Sequence, residues 1–418
     1  MLSTIKKLIP RPILRTIMPM YHFMLALFGA LIYRFPSQRL IVIGVTGTKG
    51  KTSTTEILNN ILEAAGHRTA VLGTLRFKVG DRNLRNLKKM TMPGRFFVQK
   101  FLRDAVSEGC THAIIEMTSE GAKQFRQRFI DMDALIFTNL SPEHIESHGS
   151  YEKYRDAKLA IARTLARSSK PYRYMVANAD DKEAQLFLDL KNITPVSYSL
   201  LDGGKVEANE THIALTFHNT PITSSLGGMF NASNILGAAT YAEKLGVSLE
   251  HIAKGVADTK RIEGRMERIT EGQTFPVIVD YAHTPDSLEA IYKTFAEHKN
   301  ICVLGNTGGG RDKWKRPIMG NIAEKYCTEI ILTNEDPYDE DPVEILKEIS
   351  AGIKEKQPTI ILDRREAIAH ALLLAQKEKH SAVLITGKGT DPFIMGPNGT
   401  KTPWDDRDVA REELTKLL

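Results

Sequence analysis

Cysteine is scarce in this chain. Three occur in 418 residues, and Cys110, Cys302 and Cys327 are too widely spaced to indicate a zinc site or a disulfide framework. That scarcity suits a reduced, cytoplasmic setting. Acid is missing altogether from residues 1–46, which hold Lys6, Lys7, Arg11, Arg15, Arg34 and Arg39. These cations equal the whole formal net charge of +6, so the remainder of the chain is balanced. A body built to bind nucleic acid is therefore not indicated. Long apolar runs are also lacking. From Thr16 to Tyr33 no residue is formally charged, which is near the lower limit of the about 17–25 residues that span a bilayer. Pro19 and His22 weaken its first turn. No small-residue cleavage site follows the run and Arg34 does, which argues against a cleaved signal peptide. Two readings of this end stay open: a helix packed on the first domain, or membrane-surface contact through residues 1–36, which the basic flanks suit.

What is present is an ordinary globular composition, 42% hydrophobic and 25% charged, long enough for two or three domains. Apolar runs at 39–46, 69–74, 112–116, 134–138 and 174–177 predict strands, and 52–65, 151–167 and 231–245 predict helices. Residues 195–223 alternate and read as β-rich. A second rhythm of strands at 276–280, 300–305, 329–333 and 382–386 is separated by helical segments. Such alternation implies parallel sheets with crossover helices. The expected class is α/β: a basic, apolar extension over 1–38, a central P-loop ATPase domain with a parallel sheet over 39–260, and a C-terminal Rossmann-like α/β domain over 261–418. In open α/β sheets ligands sit at the carboxyl ends of strands, and here those ends carry Glu116, Thr138, Asp280 and Gly387.

The segment Thr46-Gly-Thr-Lys-Gly-Lys-Thr-Ser53 joins a β-branched run to a helical pattern. Backbone N–H groups from Gly47 to Thr52, including those of Thr48, Lys49 and Gly50, suit phosphates at a helix start. Lys51 is placed to reach the terminal phosphates and Thr52 to bind magnesium. Val45 stands where the general P-loop pattern has its first glycine. Glu116 directly follows a strand, so its carboxylate could complete a magnesium shell of hard oxygen ligands. His144 and His148 are four apart, but no HExxH frame surrounds them, so zinc is not expected.

The loop resembles the ATP loop of the Mur ligases. Thr138-Asn-Leu-Ser-Pro-Glu-His144 and Tyr154-Arg-Asp-Ala-Lys158 resemble that family's second signature. Gly264-Arg-Met-Glu267, Val279-Asp-Tyr-Ala-His-Thr-Pro-Asp286, Gly309-Gly-Arg-Asp-Lys-Trp-Lys-Arg-Pro317 and Gly387-Lys-Gly389 extend the match through its tripeptide-synthetase branch. The resemblance implies ATP-dependent amide formation in cell-wall synthesis. ATP phosphorylates a carboxylate of a muramyl-peptide acceptor, and the amine of an amino acid displaces phosphate. It also implies roles. Lys51 neutralises the transferred phosphate, Thr52 and Glu116 hold one magnesium ion, and His144 helps hold a second. Lys158 matches a lysine that becomes carbamoylated, which would turn a cation into a metal ligand. Asn234 matches a residue near adenine, with an N-cap as its bland reading. Arg265 matches the arginine that reaches the phosphates, and Asp280, Tyr281 and His283 match the ribose and base contacts. Asp286 is expected to cap the next helix. Thr91, Ser119, Gln124 and Arg126 match acceptor contacts; Arg311, Asp336, Tyr338, Gly387 and Asp391 match the amino-acid site. A monomer is expected.

Two departures bear on substrate. Family members using diaminopimelate carry Asp-Asn-Pro-Arg where this chain has Glu335-Asp-Pro-Tyr338, and Gly-Lys-Gly-His-Glu where it has Gly387-Lys-Gly-Thr-Asp391. Without the arginine a diamino acid such as lysine is preferred over diaminopimelate. Only about 40 residues precede the loop, too few for the uridine-diphosphate-binding domain of the branch, so a lipid-linked acceptor enters as a hypothesis. Other superfamily ligases (folate-glutamylating, cyanophycin-type, lipid II-amidating) and a non-catalytic nucleotide-gated membrane scaffold are the alternatives. The joint retention of Lys51, Glu116, His144, Lys158 and Arg265 argues against the last.

Overall fold

A computed structural model of the chain describes residues 11–418, with side chains from residue 17 onward. Lys6 and Lys7 of the basic end lie outside the described residues. The chain forms two compact units. One holds the chain through Leu140 with Glu152–Gly203 and Ser233–Val256; the other holds Ser141–Tyr151, Gly204–Ala232 and Ala257–Leu418.

The first unit is built on a sheet of β1 (Ile41–Thr46), β2 (Thr69–Leu72), β3 (Arg76–Val79), β4 (Arg82–Arg85), β5 (His112–Glu116), β6 (Ala134–Phe137), β7 (Tyr174–Asn178) and β8 (Thr194–Tyr198). Their order is β4-β3-β2-β5-β1-β6-β7-β8. All pairs from β2 to β8 are parallel, and the hairpin β3–β4 is added antiparallel at one edge. The central strands are apolar through their middles because they are buried on both faces. Register pairs Val45 with Glu116 and Thr46 with Phe137, so the carboxyl ends of β1, β5 and β6 finish at one level. The helix Lys51–Ala64 leaves β1 and buries Ile57, Leu58, Ile61 and Leu62. The helix Arg11–Ile32 packs on Arg95–Ser107 through Ala26 and Ala30. Among the described residues no helix is long and apolar enough to cross a membrane.

The second unit carries β12 (Glu267–Ile269), β13 (Val277–Asp280), β14 (Lys299–Leu304), β15 (Glu329–Leu332), β16 (Thr359–Ile360) and β17 (Ser381–Thr386) in the order β12-β13-β17-β14-β15-β16. Only β12 runs antiparallel. Alternate strand residues feed two cores: Ile278, Cys302 and Leu384 face Leu288, Tyr292 and Leu346, while Val279, Val303 and Ile385 face Ala367, Leu372 and Leu414. On the second face Arg364 and Asp406, both fully buried, form a two-pronged ion pair at 2.8 and 2.7 Å. The β-rich stretch divides: β8 joins the parallel sheet, whereas β9 (Glu207–Ala208), β10 (Ile213–Phe217) and β11 (Thr220–Ser224) form a small antiparallel sheet in the second unit.

Two expectations are corrected here. Cys302 on β14 and Cys327 after the helix Lys315–Tyr326 form a disulfide, with Cα atoms 6.0 Å apart. Twenty-five residues separate them in sequence, but that helix returns the chain to the strand beside β14. The cap of Pro285–Thr294 is Thr284, closed by Ser287 in a capping box, and Asp286 lies within the first turn.

Candidate active site

In the first unit the loop after β1 is shaped by two glycines. Gly47 and Gly50 have φ of 150° and 79°, conformations that L side chains rarely adopt. A Cβ at Gly50 would also collide with the Asn234 side chain, and one at Gly47 with the Thr138 hydroxyl. Gly50 then starts the helix Lys51–Ala64, whose first N–H groups and positive dipole end suit anionic phosphate. The loop is braced from β6: Asn139 Oδ1 accepts from Lys49 N at 2.9 Å, and Thr138 Oγ1 donates to Lys49 O at 2.5 Å. Thr46 Oγ1 donates to Met117 O, and Thr48 Oγ1 meets the Tyr154 hydroxyl at 2.9 Å. Lys51 Nζ curls over its own loop, donating to Gly47 O at 2.9 Å and Thr48 O at 3.0 Å. Ser53 is buried in the first turn.

Glu116 meets this loop from the end of β5. It is 1% exposed. Its carboxylate accepts from Thr52 Oγ1 at 3.0 Å, Thr74 Oγ1 at 2.9 Å and Thr74 N at 2.7 Å. Among the described residues no cation pairs with it. A buried carboxylate held only by neutral donors is costly unless a positive charge arrives. The hydroxyl and carboxylate pair Thr52–Glu116 therefore fits a magnesium ion, which prefers hard oxygens and keeps several waters. Lys158, 2% exposed, donates to Gly47 O at 2.7 Å. Its ammonium also lies 4.9 Å from the Tyr154 ring centre. Asn234 lies inside the helix Met229–Lys244 and accepts from Thr54 Oγ1 at 3.3 Å. Its alternative reading as an N-cap is thus corrected, because the helix begins at Met229, five residues before Asn234.

The acceptor candidates gather in the same unit. Thr91 Oγ1 touches Thr74 Oγ1 at 2.9 Å, which links them to Glu116. Ser119 opens the short helix Ser119–Lys123, capped by Thr118. The Arg126 guanidinium bonds Met92 O and, at 2.9 Å, Gln124 Oε1. Its buried Nε has no hydrogen-bond partner and no carboxylate pairs with it among the described residues. Burial pulls the Arg126 pKa down, and Arg95 adds positive charge beside it. The Glu120 charge partly offsets burial at Arg126, and two clustered arginines beside that single carboxylate suit a further anion.

In the second unit His144, at φ 56°, precedes the short helix Ile145–His148. Glu146 N donates to Asp312 Oδ1 and Lys313 N to Glu146 Oε1, which stitches this turn to the loop bearing Arg311. The Arg265 guanidinium stacks 4.4 Å from the Tyr281 ring centre. Both Asp280 oxygens accept backbone N–H groups, from Met266 and from Ala282, each at 2.6 Å. The carboxylate thus secures the turn that presents Arg265. His283 faces acceptors with both nitrogens, Tyr281 O at 2.7 Å and Glu143 Oε1 at 2.9 Å. Either the imidazole or Glu143 must therefore carry the extra proton.

The remaining candidates cluster at the carboxyl ends of β14, β15 and β17. Lys388, fully buried, donates to Asp336 Oδ1 at 2.8 Å, Asp391 Oδ2 at 3.0 Å and Phe393 O at 2.6 Å. The Arg311 guanidinium lies 5.9 Å from the Tyr338 ring centre. Glu335 accepts from Thr307 Oγ1 at 2.7 Å, while its buried Oε2 has no hydrogen-bond partner among the described residues. Burial pushes the Glu335 carboxyl up. Gly387 allows this approach, since a Cβ there would strike Glu335 Oε2. Sequence reasoning assigned no role to Thr74, Asn139, Arg95, Glu143, Glu335 or Lys388. Several sit inside quoted motifs, but only the tertiary contacts distinguish them from their neighbours.

The model of the Mur ligase middle domain matches residues 45–242, and that of the Mur ligase glutamate ligase domain matches residues 264–389. The chain belongs to the Mur ligase family. Members of this family are ATP-dependent ligases that form amide bonds. The chain is 35% identical to UDP-N-acetylmuramoyl-L-alanyl-D-glutamate--2,6-diaminopimelate ligase of Bacillus cereus, over 94% of this chain and 82% of that one. It is 36% identical to UDP-N-acetylmuramyl-tripeptide synthetase of a Roseiflexus species, over 98% and 85%. A solved UDP-N-acetylmuramoyl-L-alanyl-D-glutamate--2,6-diaminopimelate ligase superposes with TM-score 0.62 at 28% identity, covering 93% of this chain and 82% of that chain. Mycobacterium tuberculosis folylpolyglutamate synthase complexed with ADP shares the fold, with TM-score 0.72 at 16% identity over 86% and 90%.

Proposed function

We propose that this Mur ligase acts as a monomer in peptidoglycan synthesis and joins an amino acid to a muramyl-peptide acceptor through an acyl phosphate. The observation that carries the reading is the buried Glu116 carboxylate held on Thr52 at the mouth of the loop bearing Lys51. ATP supplies the phosphoryl group, and magnesium held by Thr52 and Glu116 would neutralise its charge. Lys51, now folded over Gly47 and Thr48, turns to the transferred phosphate. Arg126, with Gln124, Thr91 and Ser119, holds the acceptor's anionic end so that its reacting carboxylate is positioned. Lys158 is kept as the carbamoylation candidate: the modification removes a buried cation beside the loop and adds oxygen ligands. Arg265 and His144, with Asp280, Tyr281 and His283, are assigned to the nucleotide in the second unit.

For the incoming amino acid the reading is a diamino acid of the lysine type. Tyr338 can donate one hydrogen bond but holds no fixed positive charge for a distal carboxylate. Asp336 and Asp391 hold the buried Lys388, and the Glu335 carboxyl feels the charges of Asp336 and Lys388, an environment that disfavours a further anion. Mass spectrometry of the product formed from UDP-muramyl-dipeptide, ATP and mixed amino acids tests the whole reading. A lysine adduct is expected, with phosphate release requiring acceptor and amine together. A diaminopimelate adduct would overturn the amine assignment, and ATP binding without turnover on any acceptor would overturn the ligase reading.

A further inference from the structure

The helix Arg11–Ile32 packs on its neighbour with the less apolar of its two faces. Ala26 and Ala30 are buried, Gly29 sits against the backbone of Arg95 and Phe96, and the His22 ring meets the Arg95 guanidinium. At about 100° per residue these positions lie opposite Ile17, Met20, Met24, Phe28 and Leu31. That opposite stripe is 52%, 71%, 37%, 48% and 50% exposed and contains no polar side chain. A helix on a water-facing surface places charge there.

The charge pattern selects what covers this face. The first 46 residues carry six cations and no acid, and Arg34 and Arg39 are exposed just after the helix. A second copy meeting stripe to stripe would bring two such cationic ends together. An anionic lipid surface complements both features, taking the apolar stripe at the acyl boundary and the cations among its headgroups. The other face is occupied by protein, so the helix lies flat and does not span. We propose that Arg11–Ile32 docks this protein peripherally on an anionic bilayer. The same docking brings acceptor-binding residues near the membrane, because Arg95 also donates to Gln124 O at 2.8 Å.

Vesicle co-sedimentation of the full chain tests this, independently of ligase activity. Binding to vesicles of equimolar phosphatidylcholine and phosphatidylglycerol is expected, at least about tenfold weaker on phosphatidylcholine alone and reduced by salt. Phe28→Glu with Leu31→Glu should abolish it while circular dichroism and ATP binding stay unchanged, since both side chains are half exposed. Arg34→Gln with Arg39→Gln should lower only the preference for the anionic lipid. Absence of vesicle binding, or binding that survives the double glutamate variant, overturns the proposal. So does a dimer in analytical ultracentrifugation that this variant dissolves, which would assign the face to a second copy.

Discussion

Replacing Glu116 by glutamine separates the shape of this site from its charge. The carboxylate accepts from one backbone N–H and two hydroxyls. Glutamine keeps an oxygen for Thr74 N, and its amide can donate to the hydroxyl oxygens once they rotate. The fold should therefore lose no more than about 1 kcal/mol. Glu116→Ala instead strands Thr74 N in a buried place and leaves a cavity, at about 3 kcal/mol. The functional effect runs the other way. Two unit charges about 4 Å apart interact by about 4 kcal/mol at an effective dielectric constant near 20, so removing the charge beside a divalent ion should cost at least about 100-fold in turnover. Melting temperature, calorimetric titration of ATP at graded magnesium, and phosphate release check the three quantities. A Glu116→Gln enzyme with wild-type magnesium dependence would refute the reasoning, whatever its stability.

Arg126→Met should raise the acceptor KM about 10- to 100-fold with kcat little changed, as expected of a charge-assisted contact worth about 1.5–3 kcal/mol; steady-state kinetics at saturating ATP reads it. Tyr338→Arg should shift amine use toward diaminopimelate by about tenfold or more, measured as a ratio of kcat/KM for the two amines. Asp406→Ala leaves the fully buried Arg364 guanidinium unpaired and should cost about 3–5 kcal/mol in urea unfolding. His112 is buried beside His67, and desolvation followed by that neighbour lowers its pKa from 6.5 to about 4. The unfolded chain then binds the proton more readily than the fold between those values. Stability is fully present above about pH 6.5 and falls by about 3 kcal/mol as pH drops to about 4; His112→Gln should flatten that part of the urea midpoint profile.

The sequence by itself determined the α/β class, most central strands and the phosphate loop, because these rest on local signals. Runs such as Ile41–Val45 and Ala382–Ile385 are apolar throughout since both faces are covered, and glycines at 47 and 50 mark a turn that no other residue makes cheaply. The order of motifs likewise pointed to the family to which the chain belongs. The edge hairpin β3–β4 and the helix Arg95–Ser107 carry polar, mixed patterns that give no comparable period, and they escaped notice. Tertiary structure alone decided which partner each charged group meets. Lys388 lies between Asp336 and Asp391, Glu116 collects Thr52 and Thr74, and Cys302 reaches Cys327. Apart from Lys388–Asp391, which lie three residues apart, these contacts join residues far apart in sequence that only the sheet's order brings together. The first helix states the division most clearly. Its composition was plain in the sequence, with both faces apolar, but only packing shows which face is spent on the protein and which is left outward.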